Sequence, residues 1–127
     1  MHRSQLAGFI IDCRTEDLDT AARFWADALG LEVRPPPTPA DALYRPLDTG
    51  ADGLHIEVQQ VEHESRVHLD IEADDIEAEV RRLERLGATR IAQVRTWVVM
   101  QAPTGQRFCV VRVQRPSFRE TANTWAD

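Results

Sequence analysis

Lysine is missing from this 127-residue chain, and all fifteen of its basic residues are arginine. Schiff-base chemistry and the lysine of a phosphate-binding loop are therefore excluded. Serine is scarce: Ser4, Ser65 and Ser117 are the only three, none in a nucleophile-elbow setting, which argues against serine hydrolase chemistry. The two cysteines, Cys13 and Cys109, are not spaced as a metal-binding pair, and nothing supports a disulfide framework. No apolar run approaches the ~20 residues of a membrane span, and the N-terminus lacks the apolar core of a signal peptide. A cytoplasmic location without a membrane partner is the expectation. The formal net charge is −6, and no stretch concentrates the arginines, so nucleic acid is not an expected partner either.

What is present is clearest in Arg66–Gly87. Val67, Leu69 and Ile71 alternate with His68, Asp70 and Glu72, the period of a strand with one apolar and one polar face. From Ile76 the apolar residues fall at Ile76, Val80, Leu83 and Leu86, which is helical spacing, and Gly87 stands where a helix stops. Asp74, with Glu77 three residues on, reads as a capping-box variant. The pattern predicts a helix packed back on Val67, Leu69 and Ile71, with His68, Asp70 and Glu72 pointing the other way. Glu77, Glu79, Arg81, Arg82, Glu84 and Arg85 read as that helix's solvated face.

Upstream, Phe9, Ile11 and Cys13 alternate with Ile10 and Asp12 as a first strand. Thr15–Asp19 suits a helix start, and Leu18, Ala21, Ala22, Trp25, Ala28 and Leu29 make one helical face that ends at Gly30. A short strand is expected near Leu31–Arg34, then a loop or edge at the proline run Pro35–Pro39. Strands follow within Ala42–Leu47 and at Leu54–Val61, with Ile91–Arg95 and Trp97–Gln101 later in the chain. The second half repeats the first. Phe9, Ile11, Asp12, Asp17, Leu18, Ala22 and Trp25 match Val67, Leu69, Asp70, Asp75, Ile76, Val80 and Leu83 at one constant offset. Gly53, Ile56, Val58 and Val61 match Gly105, Phe108, Val110 and Val113 at another. The expected fold is α+β, a single domain over residues 1–127 of tandem βαβββ modules at about 6–61 and about 66–114. The two copies are expected to pair their sheets around a shared interior. A C-terminal tail, 115–127, follows, and Phe118 and Trp125 suggest that it docks on the body or on a neighbouring chain.

The segments D-C-R-T-E-D-L-D-T-A-A-R-F-W-A-D-A-L-G-L, V-H-L-D-I and W-V-V-M-Q-A-P-T-G-Q-R-F-C-V-V, in register with the repeat, carry a resemblance over roughly Leu6–Val113. They resemble the glyoxalase/bleomycin-resistance/extradiol-dioxygenase (vicinal oxygen chelate) superfamily, and within it the glyoxalase-like subgroup. The resemblance implies a cupped, largely antiparallel sheet with helices outside, a site inside the cup, and a homodimer. It also departs from the subgroup in its last turn, where Ala102-Pro103-Thr104-Gly105-Gln106-Arg107-Phe108 keeps the proline and glycine but lacks the usual Asp and Asn.

The repeat nominates four equivalent inward positions: Ile10, Glu57, His68 and Cys109. In metal-dependent members of the superfamily, the resemblance implies, these positions carry the ligands. Here His68 and Glu57 suit that role, Ile10 does not, and Cys109 offers a thiol. Such a set of His68, Glu57 and Cys109 is incomplete, so the expectation is no resident cofactor; if a divalent metal were bound, the thiolate would favour zinc. Cys109 has the alternative role of a small apolar filler, and Gln59 is a substitute donor. His55, Gln59, His68, Asp70, Trp97 and Arg107 are candidate ligand-binding residues, and Glu57 is the candidate catalytic base, with Arg107 or His68 as its expected partner. Tyr44 falls on the same side. The leading functional expectation is a protein that binds a small molecule. The alternative is a metal-dependent lyase, isomerase or dioxygenase, and whether the chain is an enzyme is left open.

Overall fold

The computed structural model describes residues 1–126 and holds eight strands and three helices, the α+β class the sequence pattern predicts. Two units are distinguished, a smaller one of Phe9–Val67 and a larger one of Met1–Gly8 with the chain from His68 onward. Strands β1 (His2–Arg14) and β4 (Arg66–Ala73) contribute residues to both. No helix among the described residues is long and apolar enough to cross a membrane.

In the smaller unit, α1 (Leu18–Leu29) starts where the Asp17 carboxylate accepts the Thr20 N–H at 3.1 Å. It stops at Gly30, whose φ of 70° is a left-handed conformation that costs glycine little. Leu18, Ala22 and Ala26 bury against Ile11, Leu47, Ile56 and Val58, with Trp25 partly buried beside them. The apolar face ends earlier than the sequence suggests, since Leu29 is exposed. The strand expected at Leu31–Arg34 shrinks to a single bridge, Val33 to Leu47. Prolines follow at once and lack the N–H that a longer ladder would need. Strands β2 (Tyr44–Leu47) and β3 (His55–Val61) pair antiparallel, with Tyr44 opposite Gln59 and Pro46 opposite Glu57.

The larger unit orders its strands β8–β1–β4–β7–β6–β5, where β5 is Thr89–Val94, β6 Trp97–Gln101, β7 Arg107–Arg112 and β8 Asn123–Trp125. Strands β4 and β7 run parallel, while β7–β6, β6–β5 and β1–β8 are antiparallel. Helix α2 (Ile76–Arg85) lays Val80 and Leu83 on Ala73, Val98, Met100 and Val110. Each such fully buried aliphatic side chain contributes about 1.5–3 kcal/mol. On β4 this cover reaches Ile71 and Ala73 only; Leu69, expected beneath the helix, is 51% exposed. The ten residues of α2 are too few turns to run the length of the strand.

The N-cap of α2 is Asp75, one residue beyond the capping box read from the sequence: its carboxylate accepts the Ala78 N–H at 3.0 Å. Asp74 instead accepts the Arg3 N–H, and Glu77 pairs with Arg90. Asp75→Ala should therefore cost about 1 kcal/mol in urea unfolding, and Glu77→Ala, which removes an exposed pair, about 0.5 kcal/mol or less. The reverse ranking would refute the cap assignment.

Glu79 corrects a second expectation. It is not part of a solvated face but is wholly buried. His2 Nε2 lies 2.7 Å from Oε1, Ser4 Oγ donates to Oε2 at 2.8 Å, and Arg82 donates to both oxygens at 2.8 Å. Burial pushes the carboxyl upward, but hydrogen bonds from Arg82, His2 and Ser4 outweigh it and hold the group below its ordinary range. Two of the three partners, His2 and Ser4, come from the start of β1, a polar stretch that helical periodicity in α2 does not report.

The tail docks on the larger unit of its own chain. Glu72 Oε1 accepts the N–H groups of Gln114 and Arg115 at 2.7 and 3.0 Å, and Gln5 Nε2 donates to Oε2 at 2.7 Å. Helix α3 (Phe118–Thr121) buries Phe118, and β8 then pairs with the first residues of β1. Trp125 Nε1 donates to Ser4 Oγ at 2.8 Å, under the Arg82 guanidinium 3.9 Å from its ring centre. The tail's last residue, Asp127, lies outside the described residues.

Candidate functional site

Residues paired across a ladder point to the same face of the sheet. In the larger unit Asp70 pairs with Cys109, and Cys109 with Val99. Ile71, paired with Val110, belongs to the other face, the one α2 covers. The face away from α2 thus carries His68, Asp70 and Glu72 from β4, Arg107 and Cys109 from β7, and Trp97 and Gln101 from β6.

At its centre, His68 Nε2 approaches Asp70 Oδ1 to 3.4 Å, with side-chain exposures of 13% and 8%. One donor atom each from His68, Asp70 and Cys109 lies within 4.8 Å of the other two. Asp70 Oδ1 is buried yet makes no hydrogen bond. Cys109, also buried, packs with Ala7 and Val111, and Trp97 and Val99 lie against that cluster. Arg107 Nε donates to Gln101 Oε1 at 2.9 Å, which holds its guanidinium along this face. Arg95, in the β5–β6 turn, adopts φ 49° and sets its guanidinium 5.5 Å from the Trp97 ring centre.

The glyoxalase-like domain model matches residues 8–111. The chain belongs to the glyoxalase-like domain family. No curated protein matches it in sequence. Among solved structures, the fold is similar to methylmalonyl-CoA epimerase from Mycobacterium tuberculosis: TM-score 0.62, 18% identity, 91% of each chain covered. It is also similar to a glyoxalase/bleomycin resistance protein/dioxygenase superfamily member from Vibrio splendidus 12B01, with TM-score 0.51, 21% identity, and 84% and 98% of the two chains covered. A Streptomyces coelicolor methylmalonyl-CoA epimerase variant in complex with 2-nitronate-propionyl-CoA gives TM-score 0.53 at 15% identity, with 84% and 94% covered. At these identities the likeness shows the fold alone.

The remaining candidates of this glyoxalase-like chain lie in the smaller unit. His55, Glu57 and Gln59 alternate along β3 with Ile56 and Val58, which pack under α1, and so occupy the face away from that helix. Glu57 Oε1 lies 3.0 Å from His55 Nε2, so the carboxylate's partner is His55 rather than the Arg107 or His68 expected from sequence. Gln59 Nε2 donates to the Tyr44 hydroxyl at 2.9 Å across the β2–β3 ladder. Each unit thus carries its own imidazole–carboxylate pair at an i, i+2 spacing, His55–Glu57 and His68–Asp70. Burial pushes the other thiol, Cys13, up.

Proposed function

We propose that this glyoxalase-like protein binds a small polar molecule on the face of the larger unit turned away from α2. The observation that carries the reading is the grouping of His68, Asp70, Arg107 and Trp97 on one strand face, each at least partly buried and none packed beneath α2. Trp97 offers a flat apolar wall, His68 and Arg107 offer donors, and Asp70 an acceptor, the mixture that orients a small ligand. The superfamily resemblance supports the reading, as does the fact that one similar fold holds a coenzyme A ligand. The same proposal includes a homodimer in the cytoplasm.

A second reading, metal-dependent lyase, isomerase or dioxygenase chemistry, is favoured by the approach of three donor atoms to one another. A divalent ion there supplies Lewis-acid polarisation of a ligand oxygen. His68, Asp70 and Cys109 would hold it, and Arg107 would orient an anionic group of the ligand.

The test is a thermal-shift screen with small organic acids, acyl-coenzyme A thioesters and organic cations. A compound that raises the melting temperature of the wild type should lose most of its effect in His68→Ala and Arg107→Ala. Equal shifts in wild type and both variants would refute this face as the binding surface.

A further inference from the structure

We propose that the ligand of this face is an aromatic organic acid, held with its carboxylate on Arg107 and its ring against Trp97 beneath Arg95. The inference rests on the binding reading above and names the class of molecule bound.

Strand register lays the side chains of the face out in rows. Asp70 pairs with Cys109 and Cys109 with Val99, a middle row across β4, β7 and β6. To one side of it Arg107 pairs with Gln101, and the same register sets His68 next to Arg107, so this end is polar. To the other side Glu72 pairs with Val111, and Trp97 falls next to Val111. Glu72 is fully buried and already occupied by the N–H groups of Gln114 and Arg115, which leaves this end apolar. Backbone rise of about 3.3 Å per residue puts the two ends about 13 Å apart. That span suits a head group joined to one or two rings.

The polar end is built for an anion. Arg107 donates from Nε to a neutral amide, Gln101 Oε1, and among the described residues no carboxylate pairs with it. The remaining N–H groups of its planar fork match a carboxylate. Asp70, the acid of the middle row, has His68 Nε2 3.4 Å from it as a counter-charge. The acidic excess of the chain also lies elsewhere: the smaller unit has five Arg against twelve Asp and Glu, the larger ten against nine. An anion on the larger unit is therefore not opposed by that unit's own charge.

The apolar end is built for a flat ring. Trp97 packs against the cluster of Ala7, Cys109 and Val111, with the Arg95 guanidinium 5.5 Å from its ring centre. Arg82 over Trp125, at 3.9 Å, shows what a closed stack of this kind looks like. A planar group between ring and guanidinium needs about 7 Å, two contact distances of 3.5 Å, so Arg95 has only to lift by about 1.5 Å. Its backbone is fixed for this position: φ is 49°, uncommon for a residue with a Cβ, and Gln93 Nε2 donates to the carbonyls of both Arg95 and Trp97, at 3.3 and 3.1 Å. Stacking on tryptophan and arginine favours an aromatic body over a saturated one.

The experiment titrates full-length protein with 2-naphthoate, its neutral carboxamide and the saturated decahydronaphthalene-2-carboxylate, followed by calorimetry and by the indole N–H resonance of Trp97. Wild type should bind 2-naphthoate about tenfold more tightly than the carboxamide and about three- to tenfold more tightly than the saturated acid, with the Trp97 resonance shifting. Arg107→Gln, with folding checked by circular dichroism, should lose the preference for acid over amide. Arg95→Gln and Trp97→Leu should keep that preference and lose the one for the aromatic acid. No saturable binding of 2-naphthoate, equal binding of acid and amide, or an acid preference that survives in Arg107→Gln would overturn the inference. If 2-naphthoate is inert but an organic cation or a saturated acid stabilises the protein through His68 and Arg107, this inference fails and the binding reading stands. If 2-naphthoate binds equally to wild type, His68→Ala and Arg107→Gln, both fail.

Discussion

Glu79→Ala should lower the unfolding free energy by about 3–5 kcal/mol, the cost of breaking a buried charge cluster from one side. The substitution leaves Arg82 without its bidentate partner and His2 and Ser4 without the acceptor each now faces. It also loosens the arginine that lies over Trp125, so its effect reaches the tail. Urea unfolding measures it, and a loss below about 1 kcal/mol would show that the cluster is not a stabilising unit. The same carboxylate predicts a pH dependence. Its folded pKa is depressed, so its contribution is fully present above the unfolded value of about 4.3 and is lost as pH falls through the lower folded value. Acid unfolding of the wild type should therefore steepen below about pH 4.3, and that component should be missing from Glu79→Ala.

Glu72→Ala should cost about 2–4 kcal/mol, because two backbone N–H groups and the Gln5 amide lose their acceptor at once. The effect should be concentrated in the tail. Gln114 and Arg115 begin the segment that leads to Phe118 and β8, so releasing them exposes the ladder of Asn123–Trp125 with His2–Ser4. Amide hydrogen exchange should accelerate by an order of magnitude or more at Thr124 and Trp125 while Val98 and Val110, under α2, change only with global stability. Unchanged exchange in β8 would mean that the tail is held by other contacts.

Both carboxylates show where sequence reasoning reached its limit. Periodicity placed α1 and α2, because their apolar spacing and terminal glycines are local signals. Glu79 sits among the charged positions of α2 and reads as solvated, since nothing within the helix reveals that His2 and Ser4 come to meet it. The start of β1 was missed for the matching reason: His2-Arg3-Ser4-Gln5 has no apolar alternation, and its burial is satisfied by polar partners far along the chain. The site was partly legible. The strand period of β4 puts His68 and Asp70 on one face and the repeat points to Cys109, while the sequence makes Asp70 a ligand-binding candidate and Glu57 the metal-type carboxylate. The pairing of β4 with β7, which brings Asp70 opposite Cys109, depends on strand order and register, and these are long-range properties. The i, i+2 spacing of His68 and Asp70 is the local signal of the ion pair they make.

The most direct test of the account is a crystal structure of the protein with the compound that gives the largest thermal shift. The account predicts density for that compound on the face of the larger unit turned away from α2, in contact with His68, Arg107 and Trp97. Density beside His55 and Glu57 instead, or on the side that α2 covers, would contradict it.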